Sequence, residues 1–198
     1  MEASASLADH IRDVADFPRP GIVFRDITPL LAEPAAFRAT VDALAGRVGD
    51  LQIDKVVAIE ARGFILGAPL AYRLAAGFVP VRKSGKLPRS VEREEYSLEY
   101  GSDCLEIHAD AIDAGETVLV VDDVLATGGT AAATVRLVEK LGATVVGLIF
   151  VIELDALDGR RRLEGRRADS LVHYGASPSP PESTAPPSAV EPTARIPG

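Results

Sequence analysis

Leu7, Ile11 and Val14 recur at helical spacing after Ser6, which predicts a short opening helix with Ser6 as N-cap and Asp9 in its first turn. The prolines of "FPRPGIVFRDITPL" break that helix, and a short extended piece follows at Ile22–Phe24. Pro34 then opens a second helix, with Phe37, Val41, Leu44 and Val48 along one face. Val56–Ile59 reads as a buried strand, followed by a helix that ends near Gly77. "FVPVRK" is the next strand. The polar stretch from Ser84 to Glu95 has little periodicity and reads as a long loop, the kind that often serves as a lid. "YSLEYG" and "CLEIHAD" alternate apolar and polar positions, as in a hairpin. Then come a strand at Val118–Val121, a helix to about Leu141 capped by Gly142, and the strand "TVVGLIFVIEL".

Strands that alternate with helices, written as continuous apolar runs, imply an α/β fold with a mostly parallel sheet covered on both faces. In such sheets ligands gather at the carboxyl ends of the strands. "EARG", "RKSGK" and "DDVLATGGT" each follow an apolar strand, so they converge on one edge. The chain divides into a folded domain over residues 1–174 and a Pro/Ser-rich tail over 175–198. The tail holds half of the chain's 14 prolines and is expected to be disordered.

Composition narrows the function. With 47% hydrophobic and 25% charged residues, the 198-residue chain can bury an ordinary core as one domain. A net charge of −8 argues against a protein that holds nucleic acid through a general positive field. No apolar run is long enough to span a membrane, and the N-terminus lacks the pattern of a secretory signal. With a single cysteine, Cys104, this leads to an expected cytoplasmic location. "RKSGKLPRSVER" is a basic island in this acidic chain, suited either to a small polyanion or to a solvated loop. His10, His108 and His173 lie in separate segments and read as structural or surface residues, and Cys104 as a packing residue.

The chemistry concentrates in "VLVVDDVLATGGT", Val118–Thr130. Gly128 and Gly129 remove the Cβ atoms that would keep a phosphate from backbone N–H groups at a helix start. Thr127 and Thr130 add hydroxyl donors. The GK[ST] signature of a P-loop is absent. Asp122 and Asp123 would repel a phosphate directly beside them. One sugar away, they can accept hydrogen bonds from vicinal hydroxyls. Acids next to a phosphate cradle point to a ribose 5-phosphate.

This stretch resembles the 5-phosphoribosyl 1-pyrophosphate (PRPP) motif of the type I phosphoribosyltransferases. "FPRPGIVFRDITPLL", "ARGF", "VRKSGKLP", "EYSLEYG" and "LEIHADAI" narrow the resemblance to the adenine-specific branch of that family, over about Ala8 to Leu163. The resemblance implies the type I fold with a flexible lid loop and a small N-terminal hood. It implies transfer of a phosphoribosyl group from PRPP to adenine, giving AMP and pyrophosphate in purine salvage. Ala126–Thr130 would hold the 5-phosphate, with Asp122 and Asp123 on the ribose 2- and 3-hydroxyls. Arg62, Arg82, Lys83 and Lys86 would neutralise the pyrophosphate, with Mg²⁺ held mainly through substrate oxygens. Ser84 stands where some relatives carry a further basic residue. Val23 and Arg25 would meet the base edge through backbone groups, and Phe24 and Leu125 would pack on its faces. Glu99 and Tyr100 would close over the site, with Glu99 managing a proton on the base. The family pattern also implies a cis peptide at Glu60–Ala61 and a homodimer. Two rival readings remain: transfer to a 6-oxopurine, or a regulator that senses PRPP. A regulator would bring a DNA-reading helix or a basic RNA-binding surface, and the sequence shows neither.

Overall fold

The computed structural model describes residues 7–97 and 102–175. Ser6, Glu99, Tyr100 and the Pro/Ser-rich segment from 176 onward lie outside the described residues. Seven strands form one sheet in the order β5-β6-β4-β3-β7-β8-β9. These are β3 (Lys55–Ile59), β4 (Gly77–Lys83), β5 (Val91–Ser97), β6 (Ser102–His108), β7 (Thr117–Leu125), β8 (Thr144–Leu154) and β9 (Ala168–Tyr174). The pairs linking β4, β3, β7, β8 and β9 are parallel, while β6 runs antiparallel to β4 and to β5. A separate two-stranded antiparallel sheet, β1 (Arg12–Ala15) with β2 (Val23–Asp26), forms the hood. The helices are α1 (Thr28–Ala32), α2 (Pro34–Val48), α3 (Arg62–Leu74) and α4 (Gly129–Lys140).

The central strands carry continuous apolar runs, Val56–Ile59, Val118–Val121 and Leu148–Ile152, because both of their faces are covered there. One face packs Val57, Val118, Val120 and Phe150 against Ala133, Leu137 and Val138 of α4. The other packs Val56, Leu119, Val121 and Val151 with Leu44 of α2 and Leu66 and Leu70 of α3. Phe150, Leu137 and Leu70 are fully enclosed. Each such side chain contributes about 1.5–3 kcal/mol. Glycine sets one of these distances. A Cβ on Gly67 would lie 2.6 Å from the Ala58 Cβ, so α3 reaches β3 only because position 67 has none.

Several expectations are corrected. Among the described residues the opening helix runs no further than Ala8: Leu7 and Ile11 are both buried, and Arg12–Ala15 instead pairs with β2, with Val14 opposite Phe24 and Arg25 ion-paired to Asp13. Cross-strand partners outweigh the helical spacing, which was carried by only three residues. Helix α3 ends at Leu74, with Ala75 as its left-handed cap (φ 53°) in place of Gly77, which is already the first residue of β4, opposite Lys55. The loop read over Ser84–Glu95 is shorter, since β5 begins at Val91. Its charges hid it: β5 is an edge strand, where charged side chains are the rule. Glu94 is held there by Lys140 at 2.5 Å and by Arg136. The strand β9 was not anticipated.

Substituting Gly67→Ala should force α3 away from β3 and destabilise the protein by about 1–3 kcal/mol. Urea unfolding monitored by circular dichroism reads this directly, and an unchanged midpoint would refute the close contact.

Candidate active site

Strands β4, β3 and β7 are neighbours and parallel, so their carboxyl ends lie side by side. Each delivers one of the predicted segments: β3 runs into Glu60, Ala61 and Arg62, β4 into Arg82 and Lys83, and β7 into Asp122 and Asp123. A cavity of about 480 Å³ opens between them, lined among others by Glu60, Arg62, Lys83, Asp122, Asp123 and Thr130. A smaller one, about 70 Å³, is lined by Asp122, Val124 and Leu125–Ala131.

The two acids differ in setting. Asp123 is buried and ion-paired to Arg62, the first residue of α3. Its backbone N–H donates to Asp122 Oδ1 at 2.9 Å. Burial pushes the Asp122 carboxyl well above the usual carboxylate range, and the neighbouring Asp123 charge pushes it the same way. Room for this pair depends on Gly63, where a Cβ would lie 3.0 Å from Asp122 Oδ1 and 3.0 Å from the Val121 carbonyl.

Ala126–Gly128 turn the chain from β7 into α4. Gly128 takes a left-handed conformation (φ 77°), which L side chains rarely adopt. The first-turn N–H groups of α4 have no intrahelical acceptors, and with the helix dipole they favour an anion at this turn. Thr130 lines both cavities, and Tyr96 on β5 meets it while its hydroxyl donates to Asp103 Oδ2 at 3.3 Å.

The predicted cations are all held by acids. Arg82 Nε donates to Glu60 Oε2 at 2.9 Å, the Lys83 N–H donates to the same oxygen at 3.2 Å, and Lys86 pairs with Glu60 Oε1. Lys83 Nζ bonds Asp103 Oδ2 at 2.7 Å, and that bond raises the ammonium's pKa. Burial would raise the pKa of Glu60, but the bonds from Lys86, Arg82 and Lys83 outweigh it and hold the carboxyl low. Ser84 Oγ donates to Glu106 Oε1 at 2.8 Å, and the Gly85 N–H donates to its other oxygen at 2.9 Å, so a buried glutamate pins the turn after β4. The peptide Glu60–Ala61 is cis, as the family pattern implied.

At the hood, Phe24 stacks edge-on to Phe17 at 5.2 Å, and the Arg62 guanidinium lies 5.2 Å from the Phe24 ring centre. The Arg25 side chain turns to Asp13 and to the Tyr174 ring at 3.9 Å. Val23 is partly exposed. Leu125 is almost fully buried yet lines the smaller cavity. Glu99 and Tyr100 lie outside the described residues. His10, His108 and His173 do not line either cavity.

Sequence reasoning missed Glu60 as an ion-pair partner, together with Asp103, Glu106 and Tyr96. Glu106 gave no signal, because between Leu105 and Ile107 it falls on a polar position of an alternating strand. Glu153, Asp155 and His173 also bring ligand atoms within 4.8 Å of one another. Glu153 there is already occupied by Arg160 and by Ser170 Oγ at 2.7 Å.

A model of the phosphoribosyl transferase domain matches residues 26–172, which include all seven strands of this sheet except the last two residues of β9. The adenine phosphoribosyltransferase of Carboxydothermus hydrogenoformans is 61% identical over 168 residues, covering 85% of this chain and 99% of that relative. The crystal structure of adenine phosphoribosyltransferase from Thermoanaerobacter pseudethanolicus superposes with a TM-score of 0.85 at 50% identity, covering 86% of this chain and 99% of that one. The Saccharomyces cerevisiae enzyme, solved with adenine and an imino-altritol bisphosphate, superposes at 0.82 with 42% identity, covering 86% and 98%. The chain belongs to the phosphoribosyltransferase family, in its adenine phosphoribosyltransferase branch.

The raised pKa of Asp122 has a consequence for stability. A carboxyl whose folded value lies above its unfolded value favours the protonated form on folding, so stability falls as pH rises through the raised value. Asn keeps an oxygen for the Asp123 N–H but cannot ionise. Asp122→Asn should therefore raise the thermal midpoint of the ligand-free protein at neutral pH and flatten its decline with pH. A lower midpoint in calorimetry would contradict the assigned shift.

Proposed function

We infer that the chain transfers the phosphoribosyl group of PRPP to adenine, releasing pyrophosphate and forming AMP. The observation that carries this is the meeting of an acid pair, a glycine-rich helix start and a cationic strand end on one sheet edge, with Phe24 beside Arg62. In this reading Ala126–Thr130 bind the 5-phosphate and Asp122 and Asp123 accept hydrogen bonds from the ribose 2- and 3-hydroxyls. Sharing those hydroxyl protons also relieves the crowding of two neighbouring carboxylates.

The base nitrogen attacks C1 of the ribose as the bond from C1 to the pyrophosphate oxygen breaks, so negative charge builds on the leaving group. Arg62, Arg82, Lys83 and Lys86 meet that charge. Arg62 exchanges Asp123 for the pyrophosphate, while Arg82 and Lys86 are kept near it by Glu60. Phe24 and Leu125 sandwich the base, and the backbone of Val23 and Arg25 reads its edge. A backbone carbonyl accepts from a 6-amino group but opposes a 6-oxo group, which separates adenine from hypoxanthine. Glu99 handles the base proton, and Tyr100 closes the site with it against water.

Mg²⁺ would be held mainly through the oxygens of PRPP and pyrophosphate, where it would supply further neutralisation of the leaving group's charge. The proposal includes a homodimer. Ile65 and Tyr72, seven residues apart on one side of α3, are 45% and 90% exposed, an apolar surface suited to a second copy. A cytoplasmic location completes the reading; among the described residues no helix is long and apolar enough to cross a membrane.

Pyrophosphate release with PRPP and Mg²⁺ is expected with adenine and not with hypoxanthine, guanine, xanthine or orotate. Turnover with a 6-oxopurine would overturn the reading of residues 23–25, and silence with every base alongside PRPP binding would favour a sensor. Asp122→Asn combined with Asp123→Asn should lower kcat/KM for PRPP by about 100-fold or more, and unchanged kinetics would remove the ribose role. Sedimentation of Tyr72→Glu should show a shift from dimer to monomer; an unchanged sedimentation coefficient would place the interface elsewhere.

A further inference from the structure

The floor of the phosphate loop is built by a segment far along the chain. After β8 the backbone forms two 3-10 turns, Asp155–Leu157 and Gly159–Leu163. At Gly159 it touches the loop itself. A Cβ on Gly159 would lie 2.2 Å from the Ala126 carbonyl oxygen and 3.0 Å from the Gly128 nitrogen. A Cβ on Gly128 would in turn lie 2.2 Å from the Gly159 carbonyl oxygen. These are backbone atoms on both sides, which cannot swing aside as a side chain would. Two glycines therefore let two backbones cross directly beneath the turn.

The next residue fixes that crossing. Arg160 bonds Glu153 with both arms of its guanidinium, Nε to Oε1 at 2.5 Å and Nη2 to Oε2 at 2.7 Å, and Nη1 donates to the Ala168 carbonyl at 2.7 Å. Glu153 is buried near the end of β8, where it stands opposite Leu125, the residue before the loop. Ser170 on β9 holds its second oxygen at 2.7 Å. His173 Nδ1 lies 3.8 Å from that oxygen and 2.9 Å from Asp155. At the far end of the segment, Leu163 is sunk in the core. A bidentate ion pair whose carboxylate is buried fixes direction as well as distance.

We propose that Gly159, held by the Glu153–Arg160 pair, is a positioning residue that sets the height and shape of the Ala126–Thr130 turn for the 5-phosphate. It touches neither substrate nor reacting atoms and acts only through the loop backbone. The proposal rests on the reading of that turn as the 5-phosphate site, and its test separates the two.

Calorimetry on the full chain would measure ribose 5-phosphate and pyrophosphate binding separately, for the unaltered protein and for Gly159→Ala, Arg160→Lys and Thr127→Ala. Gly159→Ala should weaken ribose 5-phosphate by at least about tenfold, since small misplacements of binding groups are costly, while pyrophosphate binding holds. Arg160→Lys keeps the charge but loses the two-armed geometry, and should weaken ribose 5-phosphate to a smaller extent with the same selectivity. It decides the matter alone if Gly159→Ala does not fold. Equal weakening of both ligands would mark general loosening and overturn the proposal. Loss in Thr127→Ala with none in Gly159→Ala or Arg160→Lys would overturn the brace and leave the phosphate site standing. No loss in any variant would remove the phosphate site and the brace together.

Discussion

Two carboxylates side by side at the end of a buried strand repel each other and resist desolvation, and much of the surrounding structure answers that constraint. Arg62 takes the Asp123 charge, and Gly63 leaves space for the Asp122 oxygen. Asp122 is driven toward its neutral form by burial and by its neighbour. A lone buried acid would need only a partner. In the proposed reading the pair shares protons with a ligand that meets both acids, the vicinal hydroxyls of a ribose.

The same logic of opposed charge extends around the edge. Glu60 and Asp103 stand opposite Arg82, Lys86 and Lys83, so the cations are kept in place without an anion bound. In the proposed reading, polyanion binding exchanges one set of partners for another, with little side-chain ordering left to do at that moment. Glu106, buried beneath Ser84, Gly85 and Arg93, fixes the turn from which Lys86 extends. Backbone contacts complete the frame where side chains would be too bulky, at Gly128 and Gly159.

Much of this was legible in the sequence. The apolar runs at 56–59, 118–121 and 148–152, alternating with helical segments, read as buried strands, and turn chemistry at Pro34, Gly128 and Gly142 marked where helices start or end. The acid pair and its glycine turn carried the site because that arrangement has few other uses. The charged edge strand over 91–97 was hidden because its stabilising partners, Arg136 and Lys140, come from a distant helix. The hood strand over 12–15 was hidden because three apolar residues fit helical spacing while their hydrogen-bond partners lie 10 or so residues on. The Glu60 and Arg160 ion pairs are tertiary facts, and no local pattern encodes which acid meets which base.

The central claim is that Asp122 and Asp123 exist to read two sugar hydroxyls. Calorimetry comparing ribose 5-phosphate with 2-deoxyribose 5-phosphate tests it directly, since the two ligands share the phosphate and differ in one hydroxyl. Ribose 5-phosphate should bind at least about tenfold more tightly, the worth of one hydrogen bond to a carboxylate. Equal affinities would contradict the claim and leave the acid pair without its ligand.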